Sequence, residues 1–193
     1  GQARHAARCA EATANALTLL DRYDEALALY DTAAAELARC GLPREAAMTR
    51  YNRGALLAAM DRLGDADAEL EAAERALRDA GDAPNAALAR LYRGEALLRA
   101  HLVPEARRLI RTALRAMGRR VPPVERTRAV LLAARAELAA GEPAAARRLL
   151  ARPRPLATPA ARAERVELLG RALAAEGEPA KARRALERAA AAH

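Results

Sequence analysis

Apolar side chains recur along this chain at the spacing of helices, and small side chains recur at the spacing of a structural repeat. In one segment without proline, apolar residues follow a helical period on one face: Leu88, Leu91, Tyr92, Leu97 and Leu98. Five alanines stand 40, 40, 40 and 36 residues apart in the same local frame: Ala26, Ala66, Ala106, Ala146 and Ala182. The pattern predicts an array of repeated helix pairs.

Two other positions keep a fixed distance from each of these alanines. Twelve residues before it lies a very small side chain: Ala14, Gly54, Gly94, Ala134 or Gly170. Four residues after it lies a bulky apolar one: Tyr30, Leu70, Ile110, Leu150 or Leu186. Because an interior glycine costs about 1 kcal/mol relative to alanine, we expect a compensating close crossing. In that crossing the small residue of the first helix would face the alanine of the second.

Glycine and proline separate the predicted helices. Turns within the pairs are predicted at Asp21-Arg22, Gly64-Asp65, Val103-Pro104, Gly141–Pro143 and Gly177–Pro179. Since one helix pair cannot bury its own apolar face, neighbouring pairs must stack and share a core. We therefore predict a single solenoid over residues 1–193, with five pairs at about 3–41, 43–81, 84–120, 123–155 and 158–192. Pro153 is expected to end the fourth pair early.

The order of residue types in each unit resembles the tetratricopeptide repeat (TPR). A small residue and a turn are followed by Tyr23-Asp24-Glu25-Ala26, then by Tyr30 and Ala33, and the likeness covers nearly the whole chain. The units are longer than the usual 34 residues, and Arg53 and Arg93 replace an apolar residue before the glycine. The resemblance implies an all-α, right-handed α-solenoid of five TPR-like helix pairs. It also implies a non-catalytic scaffold that binds a peptide or protein segment in its concave groove.

The long units and the Ala/Arg-rich composition are similar in style to the arrays that precede caspase-like CHAT peptidase domains in actinobacteria. The segments that carry this likeness are Tyr51-Asn52-Arg53-Gly54 and Gly141–Arg147. The style is also similar to sensor arrays of maltose-regulator-type activators. The chain lacks an initiator Met and ends without a polar capping helix. We therefore expect a fragment of a larger bacterial protein with flanking domains.

Charged residues are distributed unevenly. Residues 1–96 contain 12 arginines and 16 acidic residues, a net charge of −4, whereas residues 97–193 contain 21 basic and nine acidic residues, a net charge of +12. An alternative role is therefore structural: the array would dock a neighbouring CHAT-type or regulator domain, or two copies would associate through opposite-charge halves. No apolar run reaches the roughly 18–20 residues of a membrane span, which favours a cytoplasmic location.

His5 and Cys9 lie four residues apart on the first helix and could present an imidazole and a thiol on one face. A third and fourth metal ligand are missing nearby, and the sequence has no glycine-rich phosphate loop, HExxH or GxSxG motif. We therefore expect no catalytic residue, cofactor or metal in this chain. Cys9 and Cys40 are predicted to be too far apart for a disulfide, hence reduced, and buried or half-buried.

An arginine doublet recurs beside the packing alanine in the last three units. Stacking would align these doublets into a candidate anion stripe, joined by Arg111, Arg115, Arg152 and Arg188. The stripe consists of Arg107, Arg108, Arg147, Arg148, Arg183 and Arg184. It could neutralise nucleic-acid phosphates or anionic lipid, or it could be a solvated face whose stems cover alanine. All four tyrosines precede residue 93, which disfavours a single-strand nucleic-acid partner.

Alignment of the units places two rows of side chains on the predicted concave face. The first row is Glu11, Tyr51, Leu91, Leu131 and Glu167, and the second is Asn15, Ala55, Glu95, Arg135 and Arg171. The carboxylate clamp of the family needs a Lys/Asn pattern, which only Asn15 and Asn52 approach, so we expect a polar segment of opposite charge order instead. The predicted partner-binding residues are Glu11, Asn15, Tyr51, Leu91, Glu95, Arg128, Arg135 and Arg171.

Arg53 and Arg93 adjoin the small residue of the predicted crossing, where burial is expected. A buried guanidinium needs a partner. Two interpretations are open: an ion pair between repeats or a carbonyl cap, and an anion contact in the groove.

Overall fold

A computed structural model describes residues 2–118, 120–151 and 158–190 of the chain. In these ranges all regular structure is helical, which confirms the predicted all-α class. The helices are α1 Gln2–Leu19, α2 Tyr23–Arg39, α3 Pro43–Ala59, α4 Leu63–Asp79, α5 Ala83–Arg99, α6 Val103–Ala116, α7 Pro123–Ala139, α8 Pro143–Ala151, α9 Pro159–Ala175 and α10 Pro179–Ala190.

In the described ranges, seven links between helices are three residues long and reverse through a residue with a left-handed backbone. After α2, Gly41 has φ 69°, its N–H donates to the Ala38 carbonyl, and the N–H of Leu42 donates to the Leu37 carbonyl at 3.0 Å. This pair of bonds satisfies carbonyls that the helix end would otherwise leave open. Proline then begins the next helix, since its fixed φ suits the first turn.

Two of the predicted turns are misplaced by a few residues. The reversal before α4 occurs at Asp61, whose φ is 62°, and Gly64 lies in the first turn of α4. An aspartate tolerates this backbone conformation, so no glycine is required there. Val103 likewise begins α6. Pro153, which was expected to end the fourth pair, lies outside the described residues.

The chain divides into two compact units, Gly1–Ala100 and His101–His193. Unit 1 contains α1–α5, and its core joins small alanines to bulky residues: Ala14, Ala26, Leu27, Tyr30, Leu56, Leu57, Ala66 and Ala96. Unit 2 contains α6–α10, with a core of the same kind: Leu131, Ala134, Ala146, Leu150, Leu168 and Ala172. The repeating alanines Ala26, Ala66, Ala106 and Ala146 have no exposed surface. The single solenoid over 1–193 stays a prediction.

The predicted close crossing occurs inside the helix pairs, and the atoms nearest to the glycine belong to the bulky residue four positions after the alanine. A Cβ atom built on Gly54 of α3 would lie 2.7 Å from Cγ and 3.3 Å from the backbone nitrogen of Leu70 on α4. A Cβ on Gly170 of α9 would lie 3.2 Å from Leu186 on α10. The small residue thus accommodates the leucine one turn beyond the alanine. Gly94 and Ala106 belong to different units, and their pairing stays a prediction.

Within each unit, the first helices of neighbouring repeats contact one another: α1 with α3, α3 with α5, and α7 with α9. In the described ranges no such contact joins the second helices α2 and α4, or α6 and α8. The first helices therefore lie closer together than the second helices. This arrangement places first-helix side chains on the inner side of each unit.

Cys9 and Cys40 are both free thiols, as predicted, but both are exposed, so the prediction of burial is wrong. The buried face of α1 carries Ala7 and Ala14, and Cys9 points away from it. Cys40 caps the end of α2.

Replacement of Gly54 by leucine is expected to reduce the free energy of unfolding by about 1–3 kcal/mol, because the new side chain would force α3 away from Leu70. Gly64 offers a matched control, since a Cβ there meets nothing within 4 Å. Gly64→Ala should instead stabilise the protein by about 0.4–1 kcal/mol. Urea unfolding followed by circular dichroism measures both. Equal stability of Gly54→Leu and the wild type would contradict the close crossing.

Candidate functional site

Polar side chains of the first helices in unit 1 are oriented by hydrogen bonds. Asn52 on α3 donates through Nδ2 to Oε1 of Glu11 on α1 at 3.1 Å. The hydroxyl of buried Tyr30 on α2 donates to Oδ1 of Asn15 at 2.6 Å. Glu11 is half-buried and Asn15 is exposed. These bonds hold two of the predicted binding residues in defined positions at the surface.

Two tyrosines join α3 to α5, and one of them, Tyr51, adjoins Asn52 in the sequence of α3. The rings of Tyr51 and Tyr92 meet edge to face, with centroids 5.2 Å apart and an interplanar angle of 76°. Both side chains are half-buried, so part of each ring lies at the surface. We define the first-helix surface of unit 1 by five residues: Glu11, Asn15, Tyr51, Asn52 and Tyr92.

The sequence alignment of units placed Leu91, not Tyr92, next to Tyr51. Leu91 has no exposed surface, so it belongs to the core and does not line a binding surface. Leu131, in the same predicted row, is also buried. Both observed contacts, Glu11 with Asn52 and Tyr51 with Tyr92, join residues 41 positions apart. A 41-residue comparison of the first helices would have identified Tyr92.

The other predicted binding residues differ in exposure and in their ion pairs. Glu95 is half-buried and Arg128 is exposed. Arg135 forms an ion pair with Glu164 at 2.6 Å, and Arg171 lies 3.8 Å from Glu167 on its own helix. In unit 2, therefore, Arg135 joins α7 to α9 as well as facing solvent. A role for these four residues in binding stays a prediction.

Arg53 and Arg93 form ion pairs between repeats, the first of the two interpretations. Arg53 Nε lies 2.7 Å from Asp31 on α2, and Nη1 lies 3.2 Å from Glu69 on α4. Arg93 on α5 contacts three carboxylates of α4. They are Asp67 at 2.9 Å, Glu71 at 3.5 Å and Glu74 at 3.5 Å. Burial acts to lower the pKa of Arg93, but these carboxylates outweigh it and raise that pKa. The guanidinium is therefore permanently charged.

In unit 2 the carboxylate belongs to the first helix and the arginines belong to the second helix, which is the reverse of unit 1. The buried carboxylate is Glu137 on α7, which is 2% exposed. Its two oxygens form ion pairs with Arg107 and Arg111 of α6, each at 2.6 Å. Burial acts to raise the pKa of Glu137, but the two guanidinium hydrogen bonds dominate, and the pKa lies below its ordinary value. Sequence reasoning missed Glu137, because its position is occupied by leucine in the repeats before it.

The arginine doublets divide into paired and unpaired members. Arg107 binds Glu137, and Arg147 donates through Nε to Glu176 at 2.7 Å, so both join helices. In α10, Arg183 lies 3.5 Å from Glu187 and Arg184 donates to the Ala180 carbonyl. Arg108 and Arg148 are exposed and have no ion pair within the described part of the chain. Arg152 and the side chain of Arg188 lie outside it. The anion stripe therefore stays a prediction.

No metal site or membrane span emerges from the described ranges. The Sγ of Cys9 lies 3.6 Å from Nε2 of His5, at the exposed surface of α1. No group of three or more His, Cys, Asp or Glu residues described here could hold a metal ion. None of the described helices is long and apolar enough to cross a bilayer.

Comparison with known proteins identifies the fold. No protein-family model matches the chain, and no curated protein matches it. A putative kinesin light chain from Podosopora anserina with nearly identical TPR-like repeats is similar in structure. One crystal structure of that protein has a TM-score of 0.80 at 18% identity, over 99% of this chain and 95% of that one. A second crystal structure from the same source gives 0.77 at 18% identity, over 95% and 93%.

The structure of BtubC (BKLC) from P. vanneervenii is also similar, with a TM-score of 0.62 at 17% identity over 97% of this chain and 88% of that one. Together with the paired helices, these likenesses define the class: the chain has the fold of an α-helical repeat protein. More particularly, the repeats are TPR-like, as the sequence predicted.

Glu137→Gln is expected to lower the free energy of unfolding at neutral pH by about 1–3 kcal/mol, since two partly solvated arginines lose their carboxylate. The pKa of Glu137 is lower in the folded than in the unfolded chain. Its stabilisation is therefore present above roughly pH 4.3 and disappears as the pH falls through the folded-state pKa. The stability difference between wild type and variant, measured by urea unfolding, should shrink on acidification.

Glu142 provides the control for this measurement. It is exposed and lies 4.0 Å from Arg107, so Glu142→Gln should change stability by less than about 0.5 kcal/mol at any pH. A Glu137→Gln deficit that is constant across the acid range would show that the carboxylate charge is not the source of the effect.

Proposed function

We propose that this chain is a protein-interaction scaffold that binds an extended basic segment of a partner protein on the first-helix surface of unit 1. The observation that carries the proposal is the partly exposed Tyr51–Tyr92 pair, which lies on the first helices of unit 1 as Glu11 and Asn15 do. Tyrosines are enriched at protein interfaces because they offer a large apolar ring together with a polar group.

The hydrogen bonds of this surface support the proposal. Asn52 holds Glu11, and Tyr30 holds Asn15, so these polar groups do not have to be ordered when a partner binds. Preorganisation of this kind reduces the entropy cost of association. Glu11 and Asn15 would therefore keep the same positions when a partner segment binds.

The charge of the N-terminal half favours a basic segment. Residues 1–96 have a net charge of −4, and Arg53 and Arg93 are occupied by carboxylates of their own unit. Glu11 therefore lies in a region with excess negative charge. Lysine or arginine side chains of a partner would be attracted to it, and the attraction would weaken at high salt.

A non-catalytic role agrees with how the charged groups are used. The pKa values of Arg93, Arg107 and Glu137 are shifted by ion pairs that join helices, which supports a structural use of these charges. A cytoplasmic, bacterial setting with CHAT-type or regulator neighbours stays a prediction, as do flanking domains. The same is true of association through opposite-charge halves, and of nucleic-acid or lipid binding by the arginine stripe.

Selection from a phage-displayed library of random peptides tests the proposal. We expect the wild-type chain to enrich peptides rich in lysine and arginine. Their affinity, measured by fluorescence polarisation, should fall at least about tenfold in Tyr51→Ala, because an aromatic anchor is lost. Glu11→Gln should weaken binding mainly at low salt, since it removes only a charge.

Two matched controls lie on α2, away from this surface. Tyr23→Ala removes another half-buried tyrosine, and Glu25→Gln removes another carboxylate, at an exposed position. Both should leave peptide affinity unchanged within about twofold. Selection of acidic or purely apolar peptides, or equal losses in the control variants, would contradict the proposed site.

A further inference from the structure

The ion pairs between first and second helices have opposite polarity in the two units, and this difference leaves a space in unit 2. In unit 1, an arginine of the first helix, Arg53 or Arg93, reaches the carboxylates of the preceding second helix. Forty residues after Arg93 stands Ala133. No long side chain from that position can fill the equivalent space between α6, α7 and α8.

A pocket of about 310 Å³ occupies this place in unit 2. Small and apolar side chains form part of its wall: Leu114, Ala133, Ala145 and Leu149. The remaining lining is charged, with Arg111 and Arg115 from α6, Glu137 from α7 and Arg148 from α8. Three guanidinium groups thus share the pocket with one carboxylate.

Both oxygens of the single carboxylate, Glu137, are already paired with arginines. Arg111 takes one oxygen of Glu137, and Arg107, from outside the pocket, takes the other. Arg115 and Arg148 line the pocket without a hydrogen bond or ion pair to any residue that the structure describes. The positions forty residues before Arg107 and Arg111 are Asp67 and Glu71. The second helix α6 of unit 2 therefore supplies positive charge at the positions where the second helix α4 of unit 1 supplies negative charge.

The lining determines which ligand would fit. The two guanidinium groups without a partner among the described residues match a dianion, and their planar forks bind phosphate or carboxylate oxygens through paired hydrogen bonds. A phosphate monoester carries a charge of about −1.5 to −2 at neutral pH. The volume lies at the lower end of the range for small-molecule sites, and Leu114 and Leu149 can contact a short apolar group. We propose that this pocket binds a small phosphate monoester, with Arg115 and Arg148 holding the phosphate.

Isothermal titration calorimetry with phenyl phosphate tests the assignment on the chain as it stands. Saturable binding is expected, and Arg115→Gln and Arg148→Gln should each weaken it at least about tenfold, the loss of one charge-assisted contact. Both side chains are exposed, so neither change removes a core contact, and circular dichroism checks the fold. Arg108→Gln removes an exposed arginine of α6 that lies outside the pocket and has no ion pair in the described ranges, so it should change affinity by less than about twofold.

Three further comparisons sharpen the result. Benzoate, a monoanion with the same ring, should bind at least about tenfold more weakly. Phenyl phosphate should bind more tightly as the pH rises through the second pKa of the phosphate, near about 6. A short phosphoserine peptide should bind more weakly than phenyl phosphate, because it lacks the ring that Leu114 and Leu149 would contact.

Several outcomes would overturn the proposal. They are absence of binding, equal affinity for benzoate, and a loss in Arg108→Gln as large as in the pocket variants, which would indicate a general effect of positive charge. Tighter binding of the phosphoserine peptide would overturn the small-molecule assignment. Because the first-helix surface lies in unit 1, peptide binding there and phosphate binding here can succeed or fail separately.

Discussion

The close approach of the two helices inside a repeat is the contact on which the other features depend. Gly54 has no side chain, so Leu70 packs against the backbone of α3, and Gly170 gives Leu186 the same space on α9. An interior glycine weakens a helix, and burial of Leu70, which has no exposed surface, offsets that cost in α3 by about 1.5–3 kcal/mol. Leu186 is 45% exposed, so its burial contributes less. Repetition of this contact fixes which faces of the helices are left for ion pairs and for ligands.

Ion pairs then align one repeat with the next. Buried carboxylates such as Glu74 and Glu137 lose hydration, and guanidinium groups from the neighbouring helix compensate for that loss. Replacement of a whole pair by packed apolar residues would change stability little, whereas a slip in register, like the loss of one partner, would leave a charge buried without its counterpart. The ion pairs therefore favour a single alignment. The choice of which helix carries the carboxylate also decides which arginines, such as Arg115 and Arg148, have no ion pair among the described residues.

The two proposed sites depend on the packing of the helices and on the ion pairs between them. The first-helix surface of unit 1 exists because α3 contacts both α1 and α5 directly, and its contact with α5 brings Tyr51 to Tyr92. The pocket of unit 2 exists because Ala133 stands where the two preceding repeats have arginine. A repeated backbone thus offers different chemistry in its two halves, since substitutions at equivalent positions change charge and volume without changing the helices.

The sequence by itself determined the helices, the paired repeats and the TPR-like class, because apolar periodicity, small residues and Gly/Pro turns are local signals. It also indicated that Arg53 and Arg93 need partners. Only the tertiary structure decided that Tyr92 is at the surface and Leu91 in the core, that Cys9 and Cys40 are exposed, and that Glu137 binds two arginines. The two contacts between first helices join positions 41 apart, although the repeat is 40 residues long. A one-residue shift turns a helical side chain by about 100°, and the spacing of the repeats along the chain does not specify that shift.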